Sequence, residues 1–235
     1  MEIVLGIDNI IFISILVNRL PAAQQARGRV IGLTLAMVFR VALLLSITWV
    51  VGLRSALFTL PLPGLSEPFA VSGRDLILLV GGLFLIYKST TEIHTKLQGE
   101  EAGNTGSQAG QATLANVVLQ IGIIDLVFSF DSILTAVGLV DNVAVMMVAV
   151  LLSMGLMLAF SRVVTEFVNQ HPTIKMLALS FLIMIGLLLV MEAAHQEIEK
   201  GYLYFAMAFS LVVELLNMRL RKKTTPVTLR TPRFD

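Results

Sequence analysis

Two nine-residue stretches, EIVLGIDNI at residues 2–10 and DLVFSFDSI at residues 125–133, decide how this chain is organised. Each begins with an acid, has an aspartate six residues later, and has a small polar residue directly after that aspartate. The identical positions are Val4/Val127, Asp8/Asp131 and Ile10/Ile133. An arginine follows each aspartate on the next apolar run, Arg40 after 32 residues and Arg162 after 31. We interpret the two stretches as equivalent parts of an internal repeat.

The sequence around these stretches is typical of a membrane protein. Of the 235 residues, 56% are apolar and 14% are charged, whereas a soluble domain has roughly 25% charged residues. A helix needs about 20 apolar residues to cross a bilayer, and it must be a helix because lipid satisfies no backbone hydrogen bond. The predicted spans are approximately Val30–Leu53, Asp75–Ser89, Thr113–Val140, Val143–Phe167, Ile174–Met191 and Tyr202–Leu220. A seventh and less apolar span runs from Glu2 to about Val17.

We therefore predict an all-α polytopic membrane protein with seven transmembrane helices, built as a 3+3 inverted repeat plus one C-terminal helix. The two acid-bearing helices are separated by an odd number of crossings, so they run in opposite directions through the membrane. The predicted parts are a first three-helix repeat (1–97), a flexible polar linker (98–112), a second three-helix repeat (113–200), a seventh helix (201–220) and a basic cytoplasmic tail (221–235).

The basic residues predict the orientation of the chain. If the spans alternate, 13 of the 17 Lys and Arg residues fall on one side, three (Arg54, Arg74 and Lys200) fall on the other, and Arg40 lies inside a span. The positive-inside rule then places the N-terminus outside and the C-terminus in the cytoplasm. The basic tail directly follows an apolar run, which indicates a membrane anchor and not a nucleic-acid surface. The absence of cysteine excludes disulfides and thiolate metal sites.

Carboxylates inside the spans are the candidate functional groups. An ionised acid near the bilayer centre costs about 2.5 to 3.5 kcal/mol, so several of them require compensation by protons, by arginines or by a bound cation. We expect Arg40 and Arg162 to supply counter-charges, although Arg162 and Glu166 also have the spacing of an ordinary helix-surface pair. Glu214 in the last span is a candidate proton site.

The oxygen-rich side chains of the repeated stretches favour a hard divalent cation such as Mn²⁺, Mg²⁺ or Ca²⁺. The candidate metal ligands are Glu2, Asp8, Asn9, Asp125, Asp131 and Ser132. Positions six apart fall roughly 120° apart around a helix. The two acids of each stretch can therefore share one ion only if the helix unwinds locally or the site uses two helix faces. The alternative for Asp8 and Asp131 is a structural role in helix assembly.

The chain resembles the TerC family of integral membrane proteins, and is most similar to its short bacterial members. The resemblance is carried by Glu2–Asn9, by Phe128–Ser132 with the following Thr135–Gly138, and by Tyr202–Ser210 through Glu214. It implies seven helices, cation export, a role in manganese homeostasis, a link to tellurite resistance, and metal coordination at Asp8, Asn9, Asp131 and Ser132. Similar proteins have a further stretch before the position of Glu2, which indicates a shortened first helix or a misassigned start.

These observations together predict a proton-coupled exporter of divalent cations, manganese preferred, in the bacterial inner membrane. We expect no enzymatic activity and no permanently bound cofactor; the expected partners are the bilayer and the metal ion, with a homo-oligomer or an envelope protein as a further partner. The alternative is a scaffold that moves no ion and delivers metal to envelope proteins. An intramembrane aspartyl protease is a weaker alternative, since it also needs two aspartates on separate helices.

Overall fold

The computed structural model of the chain describes residues 2–60, 69–97, 113–138, 142–196 and 198–221, without the side chains of residues 2–9, 48, 60, 69 and 221. The described chain is almost entirely helical, as expected. The helices are α1 (Glu2–Val17), α2 (Ala22–Leu45), α3 (Ile47–Gly52), α4 (Gly73–Leu97), α5 (Leu114–Val137), α6 (Val143–Gln170), α7 (Pro172–Ala193) and α8 (Lys200–Arg221). Two short strands, β1 (Ala56–Leu60) and β2 (Phe69–Ser72), pair antiparallel.

The fold class predicted from the sequence is confirmed. Within the described residues, six helices are long and apolar enough to cross a membrane: α2, α4, α5, α6, α7 and the Lys200–Leu220 part of α8. Helix α1 has 16 residues, fewer than the roughly 20 that a span needs, so the seventh span stays a prediction. The protein is an all-α, polytopic membrane protein.

The largest differences between the element boundaries and the predicted spans are in three places. Helix α2 begins at Ala22 instead of Val30, and α4 extends to Leu97 instead of Ser89, because helical hydrogen bonds continue beyond the apolar part that hydropathy detects. The second span is interrupted at Ser46, which separates α2 from α3. The sequence did not predict the β1–β2 hairpin, because the residues around it are rich in proline and typical of a loop. The predicted 98–112 linker and most of the predicted 221–235 tail lie outside the described residues.

Contacts between the two halves of the bundle follow the predicted repeat. Suppose that α1 corresponds to α5, α2 to α6 and α4 to α7. Each contact between non-corresponding helices of the two halves then has an equivalent contact in which the two halves are exchanged. Helix α2 packs on α5 as α1 packs on α6, and α1 packs on α7 as α4 packs on α5. The most extensive contact, between α4 and α7, pairs the third helices of both repeats. This exchange is the pattern that a two-fold relation between repeats produces.

Two glycines lie where α4 and α7 cross. A β-carbon added to Gly82 would lie 2.6 Å from the Gly186 carbonyl oxygen, and one added to Gly186 would lie 2.9 Å from the Gly82 carbonyl oxygen. Any side chain at either position would push the helices apart. The same two glycines begin similar apolar runs, GLFLIYK and GLLLVME. Their mutual contact therefore lies at equivalent positions of the two repeats.

The chain divides into two compact units, residues Met1–Ile198 and Glu199–Asp235. Helices α1 to α7 and the hairpin belong to the first unit. The second unit contains α8, on which Phe205 and Phe209 stack with ring centroids 6.4 Å apart. The candidate site described below lies within the first unit.

Candidate functional site

The two repeated stretches approach each other inside the first unit. Ile10 and Ile133 occupy the last position of each stretch, and both belong to one buried core cluster. Residues of α2 and α6 complete that cluster: Ala36, Leu44, Met146, Val150, Met154 and Met157. Each isoleucine lies two residues after an aspartate, Asp8 or Asp131. Helices α1 and α5 therefore contribute to one buried core near the ends of their polar stretches.

A buried ion pair joins the two repeats beside this cluster. Arg40 on α2 is 2% exposed and Asp125 on α5 is 3% exposed. The Arg40 Nη2 donates to Asp125 Oδ1 at 2.7 Å, and Nε donates to Oδ1 and Oδ2 at 3.2 and 3.3 Å. The guanidinium therefore contacts both carboxylate oxygens. Because an isolated buried charge is very unfavourable, this ion pair stabilises both buried charges.

Ser129 also contacts the Asp125 carboxylate, so Arg40, Asp125 and Ser129 form a buried polar cluster. Ser129 lies one helical turn after Asp125, is fully buried, and donates its hydroxyl hydrogen to Asp125 Oδ2 at 3.1 Å. Ser129 was not among the predicted site residues. Its spacing of four residues from an intramembrane acid was the available signal, because side chains four residues apart lie on the same face of a helix.

Asp131 lies on a different face of α5 from Asp125. Helix α5 is continuous from Leu114 to Val137, so the six-residue spacing places the two acids roughly 120° apart. The Asp131 residue is half-buried, and Thr135 Oγ1 donates to its backbone oxygen at 2.9 Å. The Ser132 hydroxyl donates to the backbone oxygen of Ser129 at 3.2 Å. In this conformation the acids of α5 use two helix faces, without local unwinding.

The two arginines that the sequence treated as equivalent lie in different environments. Arg162 is 76% exposed at its side chain, and its Nε donates to Glu166 Oε1 at 2.8 Å on the outside of α6. Its neighbour Ser161 is buried, and one residue further along rotates a side chain by roughly 100°. The structure therefore does not place Arg162 where it could compensate a buried carboxylate. It forms the surface pair that was the alternative.

The remaining predicted site residues fall into two groups. The structure describes the backbone of Glu2, Asp8 and Asn9 in helix α1 but not their side chains. Glu214 lies on α8, in the second unit. Among the side chains that the structure describes, no three acids or histidines are grouped closely enough to hold a metal. The proposed ligand set of α1 and α5 thus stays a prediction, with Asp125 bound to Arg40 in this conformation.

Polar contacts also join the helices at one end of the bundle, on the side predicted to be cytoplasmic. Asn18 follows α1, and Asn169 Nδ2 near the end of α6 donates to its side-chain oxygen at 3.2 Å. Arg19 donates to Glu92 on α4, whose side chain is buried. Lys88 and Lys175 are charge neighbours of Glu92. The acid therefore lies among three cations that belong to three helical regions.

A second group of polar contacts lies at the opposite end. Arg54 Nη2 donates to the Leu134 carbonyl oxygen at 2.8 Å, and Arg74 Nη2 donates to Glu192 at 3.0 Å. Asp75 accepts from the Ser72 hydroxyl at 2.7 Å and lies 3.0 Å from His195 Nε2. These contacts connect the segment after α3 with α5, and α4 with α7 and the segment that follows it, so they join the two predicted repeats.

This end of the bundle contains a cavity of about 330 Å³, lined by Arg54, Ala56, Ala70, Ser72, Arg74, Asp75 and His195. His195 follows the end of α7 and has a φ of 58°, a left-handed conformation that residues with a side chain rarely adopt. That backbone turn directs the imidazole to Asp75. His195 was not among the predicted site residues, because its partner is 120 residues away along the chain.

Comparison with known proteins gives similarity over nearly the whole chain. Residues 1–228 match the family described as "Integral membrane protein TerC family". The chain is 48% identical over 227 residues to the UPF0053 inner membrane protein YgdQ of Escherichia coli K12, covering 97% of this chain and 92% of that protein. It is 46% identical over 222 residues to a UPF0053 protein of Haemophilus influenzae, covering 94% and 91%.

Similarity also extends to a longer protein. The chain is 47% identical over 237 residues to the UPF0053 inner membrane protein YoaE of Escherichia coli K12, covering 98% of this chain and 44% of that protein. The membrane part described above therefore also occurs with additional sequence attached. No solved structure matches the chain.

Proposed function

The chain belongs to the TerC family of integral membrane proteins, and on that premise we propose that it exports a divalent metal cation, preferentially manganese, across the bacterial inner membrane. The observation that carries this proposal is the buried Arg40–Asp125–Ser129 cluster between the two repeats. Ionisable groups inside a membrane are rare and mark ion or proton pathways. In transporters built from inverted repeats, the substrate binds near mid-membrane where the repeats meet.

The oxygen chemistry of α1 and α5 supports a hard cation as cargo. Carboxylate, amide and hydroxyl oxygens suit manganese, magnesium and calcium. In the proposed site, Asp8 and Asn9 of the first repeat and Asp131 and Ser132 of the second provide these oxygens. The common core cluster that contains Ile10 and Ile133 supports their convergence.

Export against the membrane potential requires an energy source. Moving two positive charges outward against about 100 mV costs roughly 4.6 kcal/mol. We propose proton antiport, in which Glu2, Asp125 or Glu214 exchange protons as the metal binds and leaves. The proposed orientation has the N-terminus outside and the cytoplasm at the end that contains Arg19 and Glu92, in accordance with the positive-inside rule. No catalytic activity is proposed.

The test is transport by the purified protein in liposomes. Vesicles containing a manganese-sensitive dye should report manganese movement by the wild type, driven by an opposite pH gradient. Asp8→Asn and Asp131→Asn should each abolish it, because an amide keeps the size of the side chain but removes the charge that binds the cation. Glu166→Gln, on the exposed face of α6, is the matched control and should transport normally. Equal movement in all four proteins would refute the proposed site, and competition by magnesium or calcium would measure selectivity.

A second candidate function is a scaffold that delivers metal to envelope proteins without transporting it. The observation that favours it is the ion pair between Arg40 and Asp125, since a permanent ion pair between the repeats could also serve to hold the helices together. A scaffold should co-purify with a partner and show no ion flux, and its aspartates at 8 and 131 should tolerate replacement by asparagine.

A further inference from the structure

We propose that Arg40 is a built-in counter-cation of the transport site. Its guanidinium occupies the Asp125 carboxylate while no metal is bound, and a divalent cation gains that carboxylate only by displacing Arg40. The inference rests on the proposed function and adds a rule for it: the cargo and Arg40 bind Asp125 in turn and never together.

The geometry of the pair makes the two cations exclusive. Arg40 contacts both oxygens of Asp125, at 2.7 Å from Nη2 to Oδ1 and 3.3 Å from Nε to Oδ2. Ser129 takes a further position on Oδ2. A hard metal ion would use the same oxygens at roughly 2 Å. The carboxylate has no room for both while the guanidinium keeps this geometry.

Electrostatic repulsion between the two cations also opposes their binding to Asp125 at the same time. A guanidinium stays protonated in proteins, so Arg40 cannot make way for a metal by losing a proton. A divalent ion bound to Asp125 would place its two positive charges next to the guanidinium, in a site where both side chains are buried. Repulsion between unscreened charges is strong there. Arg40 must therefore move away when Asp125 binds a metal.

Displacement would also affect the contact between repeats. Arg40 lies on α2 and Asp125 on α5, and these helices form one of the largest contacts between the two halves. Breaking the ion pair weakens that contact only when cargo is available to neutralise Asp125. An empty transporter is thus held closed, which prevents a conformational change without cargo. The arrangement is asymmetric, since Arg162 in the other repeat lies on the surface.

The competing interpretation is a permanent structural pair that remains intact with metal bound. The two interpretations differ in the effect of removing Arg40. If Arg40 competes with the metal, its removal strengthens metal binding. If the pair is structural, its removal leaves metal binding unchanged or weakens it through loss of order.

The experiment measures manganese affinity of the full chain in detergent by isothermal titration calorimetry. The variants are Arg40→Gln, Arg40→Lys, Arg162→Gln and the double variant Arg40→Gln/Asp125→Asn. Arg40→Gln should bind manganese about 10- to 100-fold more tightly, because a state that is open for about 1–10% of the time becomes the dominant one. Arg162→Gln should match the wild type. The double variant should lose the gain, since the gain acts through Asp125.

Loss of the gain in the double variant separates competition from a general change in order, because a general change would also act without the Asp125 carboxylate. Arg40→Lys keeps the charge without the planar fork, so it should fold normally and tighten binding to a smaller extent. It keeps the test decisive if Arg40→Gln is unstable.

Each outcome bears on one of the two proposals. A wild type that binds and moves manganese, with unchanged or weaker binding in both Arg40 variants, overturns the counter-cation while leaving the transport function intact. Absence of manganese binding and movement in every variant overturns the transport function and the inference with it. Tighter binding in Arg40→Gln that persists in the double variant also overturns the inference.

Discussion

Replacement of Asp125 by Asn removes the negative charge of the buried pair while keeping the shape of the side chain. Arg40 then remains buried at 2% exposure and cannot lose its proton. Breaking a buried ion pair by removing one partner costs about 3–5 kcal/mol. We expect the free energy of unfolding of Asp125→Asn to fall by that amount in the absence of metal. Arg40→Gln should also lower it, because the buried Asp125 carboxylate then loses its counter-charge.

Thermal unfolding in detergent, followed by circular dichroism, measures this effect. For a chain of this length, 1 kcal/mol corresponds to about 2–4 °C, so the melting temperature of Asp125→Asn should fall by roughly 6–20 °C. The double variant Arg40→Gln/Asp125→Asn should recover most of the loss, since two amides can hydrogen bond without net charge. The double-mutant cycle then gives the coupling between the two side chains.

The control is the exposed pair of the same chemistry on α6. Glu166→Gln removes the partner of Arg162 on the exposed face of α6, where neither charge is buried against another helix, so the melting temperature should fall much less than in Asp125→Asn. Two results would refute the reasoning. One is equal melting of Asp125→Asn and Glu166→Gln; the other is a double variant whose loss equals the sum of the two single losses.

Three further predictions follow from the packing, the hydrogen bonds and the orientation. Gly82→Ala should destabilise the protein by about 1–3 kcal/mol through overpacking, whereas Gly155→Ala, where an added methyl group meets nothing within 4 Å, should be neutral or stabilising in the same melting assay. Ser129→Ala should cost about 1.5–3 kcal/mol, because it removes a hydrogen bond to a charged group; a melting temperature equal to the wild type would show that the bond contributes nothing. Because the chain has no cysteine, Ser55→Cys should react with a membrane-impermeant maleimide in intact spheroplasts and Gln24→Cys only after lysis. The reverse labelling would invert the orientation.

Much of the fold could be predicted from local sequence. Apolar runs of sufficient length identified six helices that can span a membrane. Such runs must be helical, because unpaired backbone groups are very unfavourable in lipid and a helix pairs them within the run. The repeated stretches at 2–10 and 125–133 predicted which helices correspond, and the exchanged helix contacts agree with that correspondence. The hairpin and the helix ends were missed, because they lie in interfacial sequence where hydropathy has no sharp signal.

The candidate site could be predicted only as a set of residue types. The sequence selected Asp125 as a charge to be compensated and Arg40 and Arg162 as counter-charges, and left the pairing open. Spacing along the chain treats Arg40 and Arg162 as equivalents. The structure buries the first against Asp125 and exposes the second beside Glu166. Ser129 and the contact between His195 and Asp75 were missed, since each acquires its role from a neighbour in space.

By itself the sequence determined that this chain is a helical, polytopic membrane protein, because the hydrophobic effect and the need to satisfy backbone hydrogen bonds act on composition and length alone. Only the tertiary structure decided which arginine meets which acid. That outcome depends on the rotation of each helix about its axis, where one residue turns a side chain by roughly 100°. It also depends on which helices pack together, as at the contact of Gly82 with Gly186. Neither quantity is a property of any single segment of the chain.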